Sequence, residues 1–283
     1  MNAGGDALRV DAHQHVWKLA RGDYHWLTSR LAPIHRDFGL DDLRPQLLGG
    51  RIDATVLVQA ATTVAETEYL LGVAHESAGL VRGVVGWVDL GAPDAIGTLE
   101  RLACDPLLRS IRPMLHDLAE PDWVLRREVT AALLALPALG LRFDALVRTR
   151  ELPALLRLLD RQPELAVVID HGAKPEIAAR GWRPWADLIA ALATHPQVCC
   201  KLSGLVTESG PEWAVDTLRR YVDHLIACFG AQRLLWGSDW PVVNLAGGYA
   251  RWLAATEALL APLSDTERAA IMGGNARRFY RLG

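Results

Sequence analysis

The chain has 283 residues, of which 51% are hydrophobic and 22% are charged, and its formal net charge is −3. This length fits one large α/β domain or two small ones, and the mixed composition is typical of a globular protein. Acidic and basic residues are interspersed without a basic stripe, which argues against nucleic acid or an anionic membrane as a partner.

The expected location follows from what the sequence lacks. No apolar run approaches the roughly 18 residues needed to cross a bilayer. The N-terminal stretch "MNAGGDALRV" has neither the positive nor the apolar region of a secretory signal. The four cysteines form no CxxC pair and are interpreted as small buried residues of a reducing compartment. We therefore predict a cytoplasmic protein.

Taken in chain order, eight short apolar runs are rich in β-branched residues or end in turn residues. Near-continuous apolar strands are typical of a parallel sheet that is covered on both faces. The eight runs are "LRVDAHQHV", "ATVLVQA", "GVVGWVDL", "LRSIRPML", "LRFDALV", "LAVVIDHG", "QVCCKLSG" and "LLWGSDWP".

Amphipathic segments with helical spacing lie between these runs, for example "TTVAETEYLLGVAHESAGL" and "GPEWAVDTLRRYVDHLIACFG". In "PDWVLRREVTAALLALPALG", Asp122 is a candidate for the first cap and Gly140 for the stop. The strand–helix alternation over about 250 residues predicts a single-domain (β/α)8 TIM barrel. The alternative is an open doubly wound sheet, whose usual GxGxxG turn after the first strand is missing here.

Residues 18–48 form a segment that is too long for a simple connection between a strand and a helix. This segment follows the first predicted strand, so it would lie over the C-terminal mouth, where barrel active sites form. We predict that it is a lid or pocket wall of the same domain.

Polar residues collect at the C-terminal ends of the predicted strands. His13 and His15 belong to strand 1 and, being two residues apart, point in the same direction. Strand 4 ends in Arg112, strand 6 in His171 and strand 8 in Asp239. Each has an ordinary alternative, as a hydrogen-bonded strand end, an ion-pair partner or a turn former. Their convergence on one end of a barrel favours a catalytic site.

The chain resembles the amidohydrolase superfamily at "DAHQHVW", "VVGWVDL", "DHGAKP", "CKLSGL" and "LLWGSDWPV". The resemblance covers nearly the whole chain and is closest to the amidohydrolase-2 branch of sugar-lactone hydrolases, such as L-fuconolactonase and L-rhamnonolactonase-type enzymes. It implies a distorted barrel in which His13, His15 and Asp239 bind a divalent metal ion. His171 matches the strand-6 histidine of the superfamily.

The sequence departs from the binuclear pattern of the superfamily at two strands. Strand 4 ends in Arg112 rather than in lysine, and strand 5, "FDALV", has no histidine. The expected cofactor is therefore one divalent ion, with Zn²⁺ favoured. A metal-free site is the alternative, in which His13 and His15 would donate hydrogen bonds to the substrate carbonyl.

The activity that this resemblance implies is hydrolysis of a neutral sugar lactone to the sugar acid. Asp239 is the expected general base, Arg112 the expected stabiliser of the oxyanion, and His171 either orients the water or protonates the leaving oxygen. Substrate contacts are predicted from residue type and position for Tyr24, Trp26, Trp87, Trp240 and Lys174.

Two other functions stay open. A metal-dependent decarboxylase or a hydrolase of carboxylate lactones would use the same barrel, but its charged substrate calls for several arginines. Arg112 and Arg148 are the only obvious ones near strand ends. A non-catalytic scaffold is hard to reconcile with the polar residues at the barrel mouth. The sequence does not decide the oligomeric state, and a homo-oligomer is left open.

Overall fold

The computed structural model describes residues 8–283, and within them the chain forms eight β-strands and ten α-helices. Every strand overlaps one of the predicted apolar runs. The strands are β1 (Val10–Gln14), β2 (Ala54–Val58), β3 (Val81–Gly86), β4 (Leu108–Ile111), β5 (Arg142–Ala145), β6 (Val167–Ile169), β7 (Val198–Leu202) and β8 (Leu234–Trp236).

A helix follows each strand, and two shorter helices end the chain. The helices are α1 (Leu40–Gly50), α2 (Val64–Glu76), α3 (Ala95–Ala103), α4 (Arg127–Ala135), α5 (Leu152–Arg161), α6 (Trp185–Ala193), α7 (Val215–Phe229), α8 (Tyr249–Leu260), α9 (Asp265–Ala269) and α10 (Asn275–Tyr280).

One parallel sheet contains the strands in the order β1 to β8. The last strand returns to the first through a parallel bridge between Gln14 and Trp240. The backbone N–H of His15 also donates to the Trp240 carbonyl at 2.7 Å. The predicted (β/α)8 barrel is therefore confirmed, and the open doubly wound sheet is wrong.

The core consists of two apolar clusters on the two faces of this sheet. The larger cluster lies between the strands and the surrounding helices. The smaller one holds inward residues such as Val85, Val168 and Leu235, together with α10. The helix covers the N-terminal end of the barrel, where the Phe279 carbonyl accepts a hydrogen bond from Arg142 at the start of β5. The opposite, C-terminal end is left for the polar residues.

The predicted lid of residues 18–48 is only partly correct, because α1 begins at Leu40 and is one of the barrel helices. Pro45 lies inside this helix and hides the helical pattern in the sequence, since proline normally ends a helix. The connection over the mouth is therefore the shorter segment 18–39. Its base is closed by two backbone hydrogen bonds of 3.0 Å between Trp17 and Phe38.

Three smaller predictions about local structure are corrected. Asp122 caps no helix: it precedes a short 3-10 turn, α4 begins only at Arg127, and the Asp122 carboxylate accepts a hydrogen bond from Arg157. Gly140 does not stop α4, which ends at Ala135 with Leu136 as its C-cap; with φ of 73°, Gly140 ends only the turn that follows the helix. The cysteines are not uniformly buried, since Cys104 is exposed.

The structure bears on the predicted location only in part. Within residues 8–283, no helix has the length and apolar character needed to cross a membrane. The expectation about a secretory signal rests mainly on residues 1–7, which lie outside the described part of the chain.

Candidate active site

Three histidines and an aspartate meet at the C-terminal end of the barrel. The ring of His13 lies with its centroid 5.0 Å from that of His15 and 4.4 Å from that of His171. The Asp239 Oδ1 atom is 3.3 Å from His15 Nε2 and 3.7 Å from His13 Nε2. All four side chains are buried. The structure thus brings together the residues that the sequence singled out on β1, β6 and β8.

A cavity of about 250 Å³ opens above this cluster. His15, His171 and Asp239 contribute to its wall, as do Arg112 and Lys174. The cavity is therefore lined by every predicted catalytic side chain, and its wall combines the carboxylates of Asp239 and Asp117 with several nitrogen donors. This combination suits a reaction in which a proton is removed while negative charge develops nearby.

Backbone strain is concentrated at this mouth. Asp239 has φ of 58°, and the four consecutive residues from His171 to Lys174, just beyond β6, all have φ between 47° and 61°. Left-handed backbone costs about 1–2 kcal/mol for each residue that is not glycine. Such strain persists only where the surrounding contacts hold it, and it clusters at functional sites.

Asp11 ties β1 to β8 directly beneath the cluster. One carboxylate oxygen accepts the backbone N–H of Ser238 at 2.8 Å and that of His13 at 3.2 Å, and the other accepts the Tyr249 hydroxyl. Burial raises the pKa of Asp11 to about 6, although these hydrogen bonds by themselves would lower that pKa. The backbone that carries His13 and Asp239 is therefore positioned by one buried carboxylate.

Replacing Asp11 by alanine should weaken the contact between β1 and β8. Two buried backbone N–H groups would lose their acceptor, at about 1–3 kcal/mol each. We expect Asp11→Ala to lower the free energy of unfolding in urea by at least about 2 kcal/mol. Asp11→Asn, which keeps one acceptor oxygen, is the matched control and should lose clearly less. Equal losses in the two variants would contradict the assignment.

A network of buried charges lies below His13. The Lys201 ammonium contacts Asp144 at 2.6 Å, Asp170 at 2.9 Å and His13 Nδ1 at 3.0 Å. Burial by itself would raise the pKa of Asp170, but Lys201 and other cations hold that pKa well below its usual range. Burial, and then Lys201, lowers the pKa of His13 well below its ordinary value. His13 is therefore a neutral imidazole at pH 7.

Arg112 crosses the barrel from β4 to this network. Its Nη1 donates to Asp170 at 3.1 Å and lies 3.4 Å from His13 Nε2, while Nη2 donates to Gln59 Oε1 at 3.1 Å. The Gln59 side chain donates back to the Arg112 carbonyl at 2.8 Å. The guanidinium is thus a fixed cation at the cavity wall, which can stabilise charge without reorganisation.

The surroundings of His171 determine its orientation. Its Nδ1 lies 2.9 Å from the Ser203 hydroxyl. A Cβ at Gly204 would fall 2.5 Å from the same nitrogen, so only glycine leaves room for the ring. Burial lowers the pKa of His171 to about 4, in spite of the nearby Asp239 and Asp170. This histidine is therefore also neutral near pH 7.

Asp239 is an ionised carboxylate in a buried position. Burial alone would raise its pKa, but His171, His15 and His13 hold that pKa below the usual range. Its backbone N–H donates to the His13 carbonyl at 2.8 Å, which fixes β8 against β1. The carboxylate can accept a proton from a water molecule in the cavity.

Glu66 on α2 supports the part of the wall formed by Ala60. Its carboxylate accepts the backbone N–H of Ala60 at 3.0 Å and that of Ala61 at 2.7 Å. Burial raises the pKa of Glu66 to about 7, although these N–H groups lower it. Between about pH 4.5 and pH 7, the folded protein therefore keeps a proton on Glu66 that the unfolded chain releases.

This raised pKa gives stability a definite dependence on pH. Protonated Glu66 contributes on the order of 3 kcal/mol to the free energy of unfolding. This contribution is fully present below about pH 4.5 and is lost as the pH rises through 7. Glu66→Gln, neutral at every pH, should remove that part of the decline in urea unfolding between pH 5 and pH 8. The control is Glu68→Gln on the same helix, whose carboxylate pairs with Arg101 at the surface. A Glu66→Gln protein with the wild-type pH profile would refute the assignment.

Comparison with known proteins decides the family. The amidohydrolase family profile matches residues 10–282. The chain belongs to the amidohydrolase family. It is 47% identical to an L-fucono-1,5-lactonase of Burkholderia ambifaria, over 97% of this chain and 96% of that protein. It is 35% identical to an L-fucono-1,5-lactonase of Burkholderia multivorans, over 98% and 97% of the two chains. A crystal structure of an amidohydrolase from Burkholderia multivorans with bound zinc is 35% identical, with a TM-score of 0.92, over 98% of this chain and all of that one.

The amidohydrolase site offers a metal ion three ligands. Single donor atoms of His13, His15 and Asp239 lie within 4.8 Å of one another. The His15 Nδ1 lies 2.8 Å from the Val58 carbonyl, which can only accept, so Nδ1 carries the proton and Nε2 presents its lone pair to Asp239. Two acceptors 3.3 Å apart need a cation between them, either a proton or a metal ion. The donor set therefore fits one divalent ion, in agreement with the family and the zinc-bound relative.

A second group of candidate ligands in the described part of this amidohydrolase is less suited to a metal ion. The other group of candidate ligands consists of His13, Asp170 and His171. Asp170 is already paired with Lys201 through one oxygen and with Arg112 through the other. Because these two cations neutralise the carboxylate, this group is a poorer metal site than His13, His15 and Asp239.

The predicted substrate-binding residues divide into two groups. Trp26 and Trp87 line cavities at the mouth, and Lys174 lines the catalytic cavity. Tyr24 and Trp240 are buried and pack against Trp17 and Phe38 at the base of the loop. These two rings therefore support the mouth and are not part of the lining of either cavity.

Two residues at the site were assigned no role from the sequence. His116 follows β4 in a 3-10 turn and lines the catalytic cavity. Burial, and then Lys174, lowers its pKa to about 3, so its ring is neutral. Lys201, which contacts His13, is fully buried in β7. A lysine in the middle of the apolar run "VCCKLSG" is a signal that could have identified it.

Proposed function

We propose that this amidohydrolase hydrolyses a neutral sugar lactone to the sugar acid, with L-fucono-1,5-lactone as the leading substrate. The observation that carries the proposal is the ionised carboxylate of Asp239, held in a small cavity with two imidazoles within 3.7 Å and a fixed guanidinium in the same wall. The two Burkholderia relatives named for this activity support the choice of lactone.

In the proposed reaction, Asp239 removes a proton from water as the water oxygen bonds to the lactone carbonyl carbon. Arg112 faces the oxygen on which negative charge develops. His171, neutral near pH 7, orients the water through a hydrogen bond. The ring C–O bond then breaks, and the proton on Asp239 passes to the leaving oxygen, which gives a hydroxy acid.

A divalent ion, Zn²⁺ by analogy with the zinc-bound relative, would be held by His13, His15 and Asp239. Bound there, it would polarise the carbonyl and lower the pKa of a water molecule. Contacts of the substrate ring fall to Trp26, Trp87 and Lys174. The proposed location is the cytoplasm.

The charges around the mouth favour a neutral substrate over a carboxylate one. Lys174 pairs with Glu208, and Arg148 contacts the same carboxylate at 3.4 Å. Arg112 is paired with Asp170. A dicarboxylate needs cations that are free to pair with it, and these three already have partners.

The test is a screen of aldonolactones with a pH indicator, since ring opening releases acid. We expect L-fucono-1,5-lactone to be opened faster than by buffer, and a dicarboxylate lactone to be opened poorly. No acceleration with any neutral lactone would refute the proposed function. A parallel arm removes metal with a chelator and measures bound metal. Full activity of a metal-free enzyme would refute the metal role but leave the lactonase intact.

A further inference from the structure

A second cavity lies beside the catalytic one at the mouth of the barrel. Its volume is about 470 Å³, larger than the 250 Å³ of the catalytic cavity. The two cavities share the wall residues Trp26, Ala60, Met114 and Asp117. They are therefore immediate neighbours, and a ligand seated in one can extend along the shared wall into the other.

The wall of this second cavity combines indole rings with carboxylates. Trp26, Trp87 and Trp123 line it, and so do Asp89 and Asp117. Among residues 8–283, no lysine or arginine does so. Indole rings offer apolar faces, and carboxylates accept hydrogen bonds from hydroxyl groups. This is the chemistry that binds a ring with one apolar face and a rim of hydroxyls.

Two contacts show that this wall is preformed. The Trp26 indole N–H donates to the Ala60 carbonyl at 2.7 Å, which holds the ring at the boundary between the cavities. Asp89 accepts the Gly91 N–H through Oδ1 at 3.0 Å. Within the described part of the chain, no salt bridge involves the Asp89 carboxylate, and its second oxygen is available to a ligand in this cavity.

We propose that the second cavity is a subsite for a sugar ring attached to the lactone, so that the enzyme accepts aldonolactones that carry a glycosyl substituent. This proposal rests on the proposed lactonase function. The volumes agree with it, because the catalytic cavity alone falls below the roughly 300–1,000 Å³ usual for small-molecule sites. The larger neighbour provides the room that a second ring needs.

Other ligand classes fit this wall less well. An anionic group, such as a phosphate or a second carboxylate, would be repelled by Asp89 and Asp117. A purely apolar group would remove water from the same carboxylates without replacing its hydrogen bonds. A neutral glycosyl group satisfies both the carboxylates and the indole rings.

The experiment compares the monosaccharide lactone that the enzyme prefers with derivatives that carry one glucosyl or galactosyl group at each ring hydroxyl in turn. We expect at least one derivative to be hydrolysed with a kcat/KM no lower than that of the parent lactone. In Trp123→Leu, kcat/KM for that derivative should fall about tenfold while the parent changes less than twofold. Trp123→Phe, which keeps an aromatic face, should restore most of the loss.

Two further variants keep the test decisive. Asp89→Ala, at an exposed position, should lower kcat/KM for the derivative at least fivefold more than for the parent, and it covers the case in which Trp123→Leu fails to fold. Trp182→Leu replaces a half-buried tryptophan outside both cavities and should affect the two substrates equally.

The proposal is overturned if every glycosylated lactone is hydrolysed more slowly than the parent. It is also overturned if Trp123→Leu and Asp89→Ala fold, but the factors by which they lower kcat/KM for the parent and for the derivative differ by less than fivefold. If the wild-type enzyme does not open the parent lactone either, the proposed function fails instead, so the two failures are distinguishable.

Discussion

Asp239→Asn is expected to lower kcat for lactone hydrolysis by about 10³-fold, within the roughly 10²–10⁴-fold that general-base catalysis contributes. An amide cannot take a proton from water, yet it fills the same space, and its NH2 group can donate to the His15 Nε2 lone pair. The backbone hydrogen bond between Asp239 and His13 is retained, so the fold should stay intact. Steady-state kinetics with the preferred lactone and a thermal melt followed by circular dichroism measure the two effects.

The matched control for this variant is Asp122→Asn. Asp122 is an exposed aspartate that pairs with Arg157 and lines neither mouth cavity. Its replacement should leave kcat within a factor of two. An Asp239→Asn enzyme with more than about a tenth of the wild-type kcat would remove Asp239 as the general base, because the loss would fall below the range expected of such a group.

Lys201→Met is expected to destabilise the protein by about 3–5 kcal/mol, because it leaves buried carboxylates without their cation. Methionine has a similar length, so the effect comes from the lost charge more than from a cavity. Asp144 and Asp170 would then face each other's charge with only Arg112 nearby. Urea unfolding at pH 7 measures the change.

Lys18→Met is the control for this second prediction, since Lys18 is exposed on the loop over the mouth. Surface substitutions of this kind usually change stability by no more than about 0.5 kcal/mol. If Lys201→Met loses less than about 1 kcal/mol, the network is not held together by this lysine, and His13 must be positioned by other contacts.

The barrel could be predicted from the sequence because the relevant pattern is local. Each strand is a short apolar run, and each helix has its own periodic face, so their alternation is visible without any long-range contact. Even so, Pro45 and Asp122 misled the prediction. Both residues have strong local preferences that the packing of α1 and the ion pair with Arg157 override.

The positions of the aromatic side chains show where local patterns end. Trp26 and Trp240 look alike in the sequence, as tryptophans predicted to lie at the barrel mouth. The path of residues 18–39 turns one toward the cavities and packs the other against Phe38. That path depends on contacts between residues far apart in the chain, such as the backbone pairing of Trp17 with Phe38 at the base of this segment.

By itself, the sequence determined the (β/α)8 barrel and the group of His13, His15, His171 and Asp239. Parallel strands bring all their C-terminal ends to one mouth, so residues that end strands must meet there. Only the tertiary structure decided how these side chains are charged and what surrounds them. Lys201 lies 57 residues from Asp144 and 188 from His13 along the chain, and no local pattern reports such contacts. The second cavity likewise exists only where loops from several strands come together.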